Sequence, residues 1–316
     1  MLLSSNANYI KSFVLTPKEV LKMNNYVLSC CSTVDLTKEY LEKRDIHYVC
    51  LHFEVDGKPY RDNFGEDISA DDLYTAMTNG ADTKTSQVNA AEFEEYFESI
   101  LKDGKDILHL SVSSGVSGTY NSANIAKMEL EERYPERKII VLDSLSGSSG
   151  SGMILEHMAD MRDDGHDMES IVTWVEENKL NLQHWLFSTD LTHFVKGGRI
   201  SKTSGFVGNL LNICPLITVD AEGRLSPHKK IRTKRKVMEA IVSQMQHLAH
   251  KKENYEGKCF ICHSGCLEDA MKVASMIKER FPRLKHKPEI FNIGPAIGCH
   301  SGPGTVGVFF WGQTRT

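Results

Sequence analysis

Short apolar, β-branched-rich runs punctuate the first half of the chain at Tyr26-Val27-Leu28, His47 to Val55, Ile107 to Val112 and Ile139 to Leu142, and helix-period stretches separate most of them. Runs of this length predict strands, and their alternation with helices predicts a parallel, Rossmann-like sheet whose ligands lie beyond the carboxyl ends of its strands. The clearest helix spans Asn89 to Asp103. Phe93, Tyr96, Phe97, Ile100 and Leu101 form its apolar face, Asn89 and Glu92 a capping box, and Gly104 the stop.

The pattern changes after GHDMESIVTWVEENK. Strands are predicted at His184 to Ser188, Pro215 to Val219, Cys259 to Cys262, Glu289 to Ile293 and Thr305 to Trp311, with a turn at Glu222-Gly223. Helices are predicted at Lys234 to His250 and Leu267 to Phe281. This describes a second α/β domain with a mixed sheet, and a length of 316 residues suits two domains. The expected division is an N-terminal extension over 1–24, with a short helix from Pro17 to Asn24, then an N-terminal α/β domain over 25–172 and a C-terminal α/β domain over 173–316.

A net charge of -5 without a basic stripe argues against nucleic acid as a partner. No apolar run approaches the roughly 18 residues of a membrane span, so no stable membrane insertion is expected. The opening MLLSSNANYIKSFVL lacks a signal peptide's basic start and cleavage site, which predicts a cytoplasmic location. The eight scattered cysteines then read as reduced thiols.

The candidate chemistry centres on SSGVSGT, Ser113 to Thr119, where a strand hands over to a helix. Glycines there let backbone N–H groups approach a ligand, the helix start adds unpaired donors, and hydroxyls add more, which together suit an anion. Thr83 to Gln87 and Asp143 to Gly150 are hydroxyl-rich too, and the three segments would converge on one site. Helix capping is the plainer reading of such hydroxyls. The usual nucleotide and hydrolase signatures are missing, yet Ser117 as nucleophile of an acyl hydrolase or transferase stays open as an alternative that needs a nearby base.

Three further features have simpler readings. Cys259, Cys262 and His263 match C-x-x-C-H, and Cys266 would complete a metal set, but strand alternation turns Cys259 and Cys262 to opposite faces, so no metal or cofactor is expected. His247, His250 and the basic run Lys229 to Lys236 read as solvent-facing, with Arg232 the one candidate for more. The pair Gly197-Gly198 in Lys196-Gly197-Gly198-Arg199 reads as a tight turn and a close backbone approach.

Taken in order, Thr85-Ser86-Gln87, SSGVSGTYNSA, VLDS, LTHFVKGGRISKTSGFVGNLLNICPLITVDAEGRL, KKIRTKRK and IGPAIGCHSGPGTVGVFF resemble the DegV family of fatty-acid-binding proteins over residues 25–312. The resemblance implies a two-domain α/β fold that buries one long-chain fatty acid between its domains, the carboxylate held by Thr85 and Ser117. Ser86, Ser114, Gly118 and Thr119 then belong to the supporting headgroup loops. It also implies a non-catalytic role: presenting the lipid to a separate fatty acid kinase that forms an acyl phosphate, with Arg232 and His300 on the exposed side of the headgroup. The chain departs from the family at Cys31, usually aspartate, and at Val88, usually proline. A chain of about 15 buried methylenes at about 0.8 kcal/mol each supplies roughly 12 kcal/mol before association costs, so the tail would give affinity and the headgroup orientation.

Overall fold

The computed structural model describes residues 25–201 and 213–316. The helix expected at Pro17 to Asn24 and the whole KTSGFVGNLLN stretch, residues 202–212, lie outside the described residues. The first half runs β1 (Tyr26–Cys31), α1 (Lys38–Lys43), β2 (Ile46–Val49), β3 (His52–Val55), β4 (Lys58–Arg61), α2 (Ala70–Thr78), β5 (Thr83–Ser86), α3 (Ala90–Lys102), β6 (Asp106–Ser111), α4 (Thr119–Arg133), β7 (Ile139–Asp143), α5 (Ser149–Asp163) and α6 (Met168–Asn178). The second half runs β8 (Leu182–Phe187), α7 (Thr192–Lys196), β9 (Ile213–Val219), β10 (Leu225–Arg232), α8 (Lys234–Leu248), β11 (Cys259–His263), α9 (Leu267–Arg280), β12 (Glu289–Asn292), α10 (Pro295–Ser301) and β13 (Val306–Trp311).

Four parallel strands in the order β2-β1-β6-β7 form the N-terminal sheet. Its side chains alternate between two cores, as the strand period requires. Val27, Ile107 and Val141 meet the apolar face of α3 and Ala123, Ala126 and Leu130 of α4. Leu28, Leu108 and Leu142 face α5. The capping box forms as read: Asn89 accepts from the Glu92 amide while Glu92 accepts from the Asn89 amide.

The C-terminal sheet has the order β10-β9-β8-β13-β11-β12 and is antiparallel except for the β11–β12 pair, a mixed sheet as expected. One face packs on α8 and α9 through Phe187, Ile261, Val308 and Phe310. The other turns Phe260, Cys262 and Phe309 toward α5. Helix α5 is therefore sandwiched between the two sheets. A Cβ on Gly150 would fall 2.6 Å from His184 Nε2, and one on Gly152 would fall 2.7 Å from the Val34 carbonyl, so glycine sets how closely this helix nests.

Two readings change. The run His47 to Val55 is two strands, β2 in the parallel sheet and β3 in a small β4-β3-β5 sheet, because the chain turns at Cys50-Leu51 with Leu51 buried. Thr83 to Ser86 is itself a strand, paired antiparallel to β3 with Phe53 opposite Thr85; its alternating threonines suit a strand. The basic run is solvent-facing as read, and it opens as the end of edge strand β10, whose exposed cations deter further pairing. A boundary after residue 172 falls inside α6, whose Met168, Ile171 and Val175 pack in the core shared by both sheets. No helix among the described residues is long and apolar enough to cross a membrane.

Candidate functional site

Between the two sheets lies a cavity of about 430 Å³. Leu51, Val112, Leu186, Phe194, Val219, Leu225, Ile293, Ile297 and Phe309 make most of its wall apolar. Polar groups enter from loops at strand ends, as the parallel topology directs.

The first polar cluster gathers residues far apart in sequence. β5 presents Thr85, whose Oγ1 lies 2.7 Å from Nε2 of His300 on α10. Gly197, at the end of α7, packs so closely on His300 that any Cβ would overlap the ring. Two residues on, Arg199 lines the cavity and donates from Nε to the Val116 carbonyl (3.0 Å) and from Nη1 to the Gly197 carbonyl (2.6 Å). That ties α7 to the SSGVSGT loop, where Ser117 also lines the cavity. Gln87 closes the ring by donating from Nε2 to Ser122 Oγ (2.9 Å) and lying against Gly118, which has no room for a side chain.

Within SSGVSGT three of the four hydroxyls have identifiable tasks. Ser113 donates to the Gly223 carbonyl across the domains (2.8 Å), and Gly115 allows the Glu222 carbonyl of the same β9–β10 turn to approach. The Ser114 amide donates to Asp143 Oδ1 (3.1 Å), while its side chain is exposed and off the cavity wall. Ser117 Oγ lies 2.8 Å from Thr119 Oγ1 and accepts from the Thr119 amide. Thr119 is fully buried, so it supports Ser117 from behind. No imidazole among the described residues is hydrogen-bonded to Ser117 to serve as its base.

Burial pushes the His300 imidazole down to about 4, with the Arg199 charge adding to the effect. It is neutral at physiological pH, and its Nδ1 is buried without a partner among the described residues. Burial also lowers Arg199, whose guanidinium still keeps its charge. The cluster thus offers two hydroxyls, a neutral imidazole and a cation to a ligand end that is negative and accepts hydrogen bonds.

His300 and Arg232 part company. His300 is half-buried in the cavity wall, bonded to Thr85. Arg232 is exposed at the end of β10 and does not line the cavity, because the edge strand carries it into solvent. Ser86 lines the cavity beside Thr85.

The tight-turn reading of Gly197-Gly198 holds: Gly198 has φ 74° and Gly197 is the close approach. Arg199 on the cavity wall was missed in the sequence, although a guanidinium directly after a glycine pair was the available signal. Ser146 comes from the hydroxyl-rich segment Asp143 to Gly150 that was expected here, whereas His184, also on the wall, was hidden in an apolar run.

Cys31 points into the α3–α4 core, 3.6 Å from His109 Nε2, so the family's missing acid does not touch the cavity. Val88 is fully buried in that same core. Cys259 and Cys262 lie in different cores on opposite faces of β11, as alternation predicted. No cluster of three potential metal ligands occurs among the described residues.

These features define a two-domain α/β protein with an apolar interdomain cavity and a polar cluster suited to an acidic headgroup. The chain belongs to the DegV family, described as "Uncharacterised protein, DegV family", whose pattern it matches over residues 31–313. A DegV domain-containing protein of Clostridium perfringens is 37% identical over 293 residues, 93% of this chain and 99% of that one. A fatty-acid-binding DegV family protein from Thermus thermophilus shares the fold at a TM-score of 0.81, with 24% identity, 92% of this chain and 100% of that one. A stearic-acid-binding protein from Eubacterium ventriosum does so at 0.80, with 24% identity, 90% and 98%.

Proposed function

We propose that this protein binds one long-chain fatty acid in the interdomain cavity, Thr85, Ser117, His300 and Arg199 holding its carboxylate. The observation that carries this is the union of one apolar cavity with one cluster of hydroxyls, imidazole and guanidinium on its wall. At roughly 30 Å³ per water-sized group, a methylene being of similar size, about 430 Å³ suits a long acyl chain. The fatty acids bound by solved relatives support the same chemistry. Purified protein should carry a fatty acid by native mass spectrometry, and delipidated protein should gain thermal stability from one. A shift with nucleotides or sugar phosphates but no fatty acid would refute the reading.

The protein presents this ligand and does not transform it; a separate fatty acid kinase phosphorylates the carboxylate. Exposed Arg232 suits the kinase's surface or the incoming phosphoryl group. Arg232→Ala should leave fatty-acid affinity within about threefold of wild type while lowering acyl-phosphate formation at least tenfold, measured by titration and by kinase assay. Turnover of acyl esters by the lone protein, abolished in Ser117→Ala, would instead favour a hydrolase.

A further inference from the structure

The cavity wall holds a second polar pair that the carboxylate does not need. Ser146, in the loop after β7, and His184, on β8, come from different sheets and both line the cavity. Each is 1% exposed, and Ser146 Oγ lies 2.6 Å from His184 Nε2. The pair shares no hydrogen bond with Thr85, Ser117, Arg199 or His300.

Its bonding capacity is only part used. A serine hydroxyl has one donor and two acceptor sites, and the contact with His184 is the one hydrogen bond of Ser146 Oγ among the described residues. His184 Nδ1 makes no well-formed hydrogen bond among the described residues, the Leu182 carbonyl being its one near acceptor. If Nε2 bears the proton, the Ser146 O–H stays free for a hydroxyl or oxo oxygen; if Nε2 accepts that O–H, Ser146 Oγ keeps acceptor sites for a hydroxyl alone, in either case beside Leu186 and Phe309. Buried polar groups left under-bonded are costly, and an apolar pair would line a hydrocarbon channel better.

The local backbone is fitted to this pair. A Cβ on Gly150 would fall 2.6 Å from His184 Nε2 and 2.7 Å from Ser146 Oγ, so α5 meets the pair at a glycine. Burial, with the Arg315 charge behind the wall adding to it, holds the imidazole neutral. Among the described residues Arg199 is the sole Lys or Arg lining the cavity, and it belongs to the first cluster. A neutral hydroxyl or carbonyl oxygen therefore suits this subsite better than a second carboxylate.

We propose that Ser146 and His184 form a mid-chain subsite for an oxygen atom, so that the preferred ligands include long-chain fatty acids bearing a hydroxyl or oxo group along the chain. This rests on the fatty-acid reading above. The test is titration of delipidated protein with stearic acid and a positional series of monohydroxy- and oxostearic acids, in wild type and Ser146→Ala. Expected is one position at which the oxygenated acid binds wild type at least as tightly as stearate. Ser146→Ala should weaken that acid tenfold or more and leave stearate within about twofold. Rejection of every oxygenated acid by tenfold or more, or an unchanged preference in Ser146→Ala, overturns the subsite while stearate binding upholds the fatty-acid reading. A crystal structure of the tightest oxygenated complex with its oxygen away from Ser146, and only water on the pair, also overturns it. If wild type binds no member of the set, both proposals fall.

Discussion

At the scale of single residues, the contacts of Thr85 and Ser117 separate a binding role from a structural one. Thr85→Val and Ser117→Ala each remove one of the donors proposed for the carboxylate, so each should weaken fatty-acid binding by about 1 to 3 kcal/mol. Titration measures that loss, and a melting temperature near wild type shows it is not a folding defect. Asp35 carries a different prediction. Burial raises its carboxyl to about 8, the neighbouring Asp62 adding to the rise, although Ser148 and the Gly294 amide donate to it. A carboxyl raised on folding binds more protons in the native state, so its contribution is full below about 4 and is lost as pH rises through about 8. Asp62, raised to about 6 by burial, acts in the same direction at lower pH. The buried neutral imidazoles of His109, His184 and His300 oppose both below about pH 6.5, where the unfolded chain takes up protons. Between about pH 6.5 and 8 Asp35 acts with little opposition. Stability should fall there by on the order of 1 to 2 kcal/mol, and Asp35→Asn should flatten the slope in melts across that range.

At the scale of elements, short-range signals were legible where one side chain decides the local geometry. Gly197 shows how such a position reaches the site. Its backbone is helical, with φ -73°, so alanine suits the conformation, but a Cβ would displace the His300 imidazole. Gly197→Ala should therefore keep its melting temperature within a few degrees yet bind fatty acid about tenfold more weakly, a contrast read by calorimetry and titration. The capping box of α3 and the opposite faces of Cys259 and Cys262 were readable because each depends on spacing within one element. The division of His47 to Val55 was not, because β2 and β3 pair with strands distant in sequence. The Thr85–His300 contact joins residues 215 apart, and the Ser146–His184 contact crosses from one sheet's loop to the other sheet. No local pattern encodes either; the family resemblance supplied Thr85 and His300 as candidates, the hydroxyl-rich pattern supplied the segment that holds Ser146, and neither supplied Arg199 or His184.

At the scale of the whole molecule, the cavity depends on how the two sheets are held apart by α5 and held together by loops. Ser113 bonded to Gly223 is one tie. Arg315 is a broader one. It is 5% exposed, and its Nη1 donates to the carbonyl of Asp220 at 2.8 Å while Nη2 donates to that of Leu145 at 3.0 Å. A further contact reaches the Lys179 carbonyl at 3.3 Å, so one guanidinium joins the β9–β10 turn, the loop after β7 and the segment entering β8. Burial lowers it only to about 10, so it stays charged at physiological pH. Arg315→Leu keeps much of the stem's packing but strands these carbonyls, and each unpaired buried acceptor costs about 1 to 3 kcal/mol unless water reaches it. The variant should lose about 2 to 4 kcal/mol of stability in denaturant titration. Because Ser146, Gly147 and Gly223 of the released loops line the cavity, amide exchange should rise at 144–148 and 220–225, and bound fatty acid should leave faster. Equal destabilisation with unchanged exchange at both loops and an unchanged off-rate would confine Arg315 to the C-terminal domain's stability and remove it from control of the cavity.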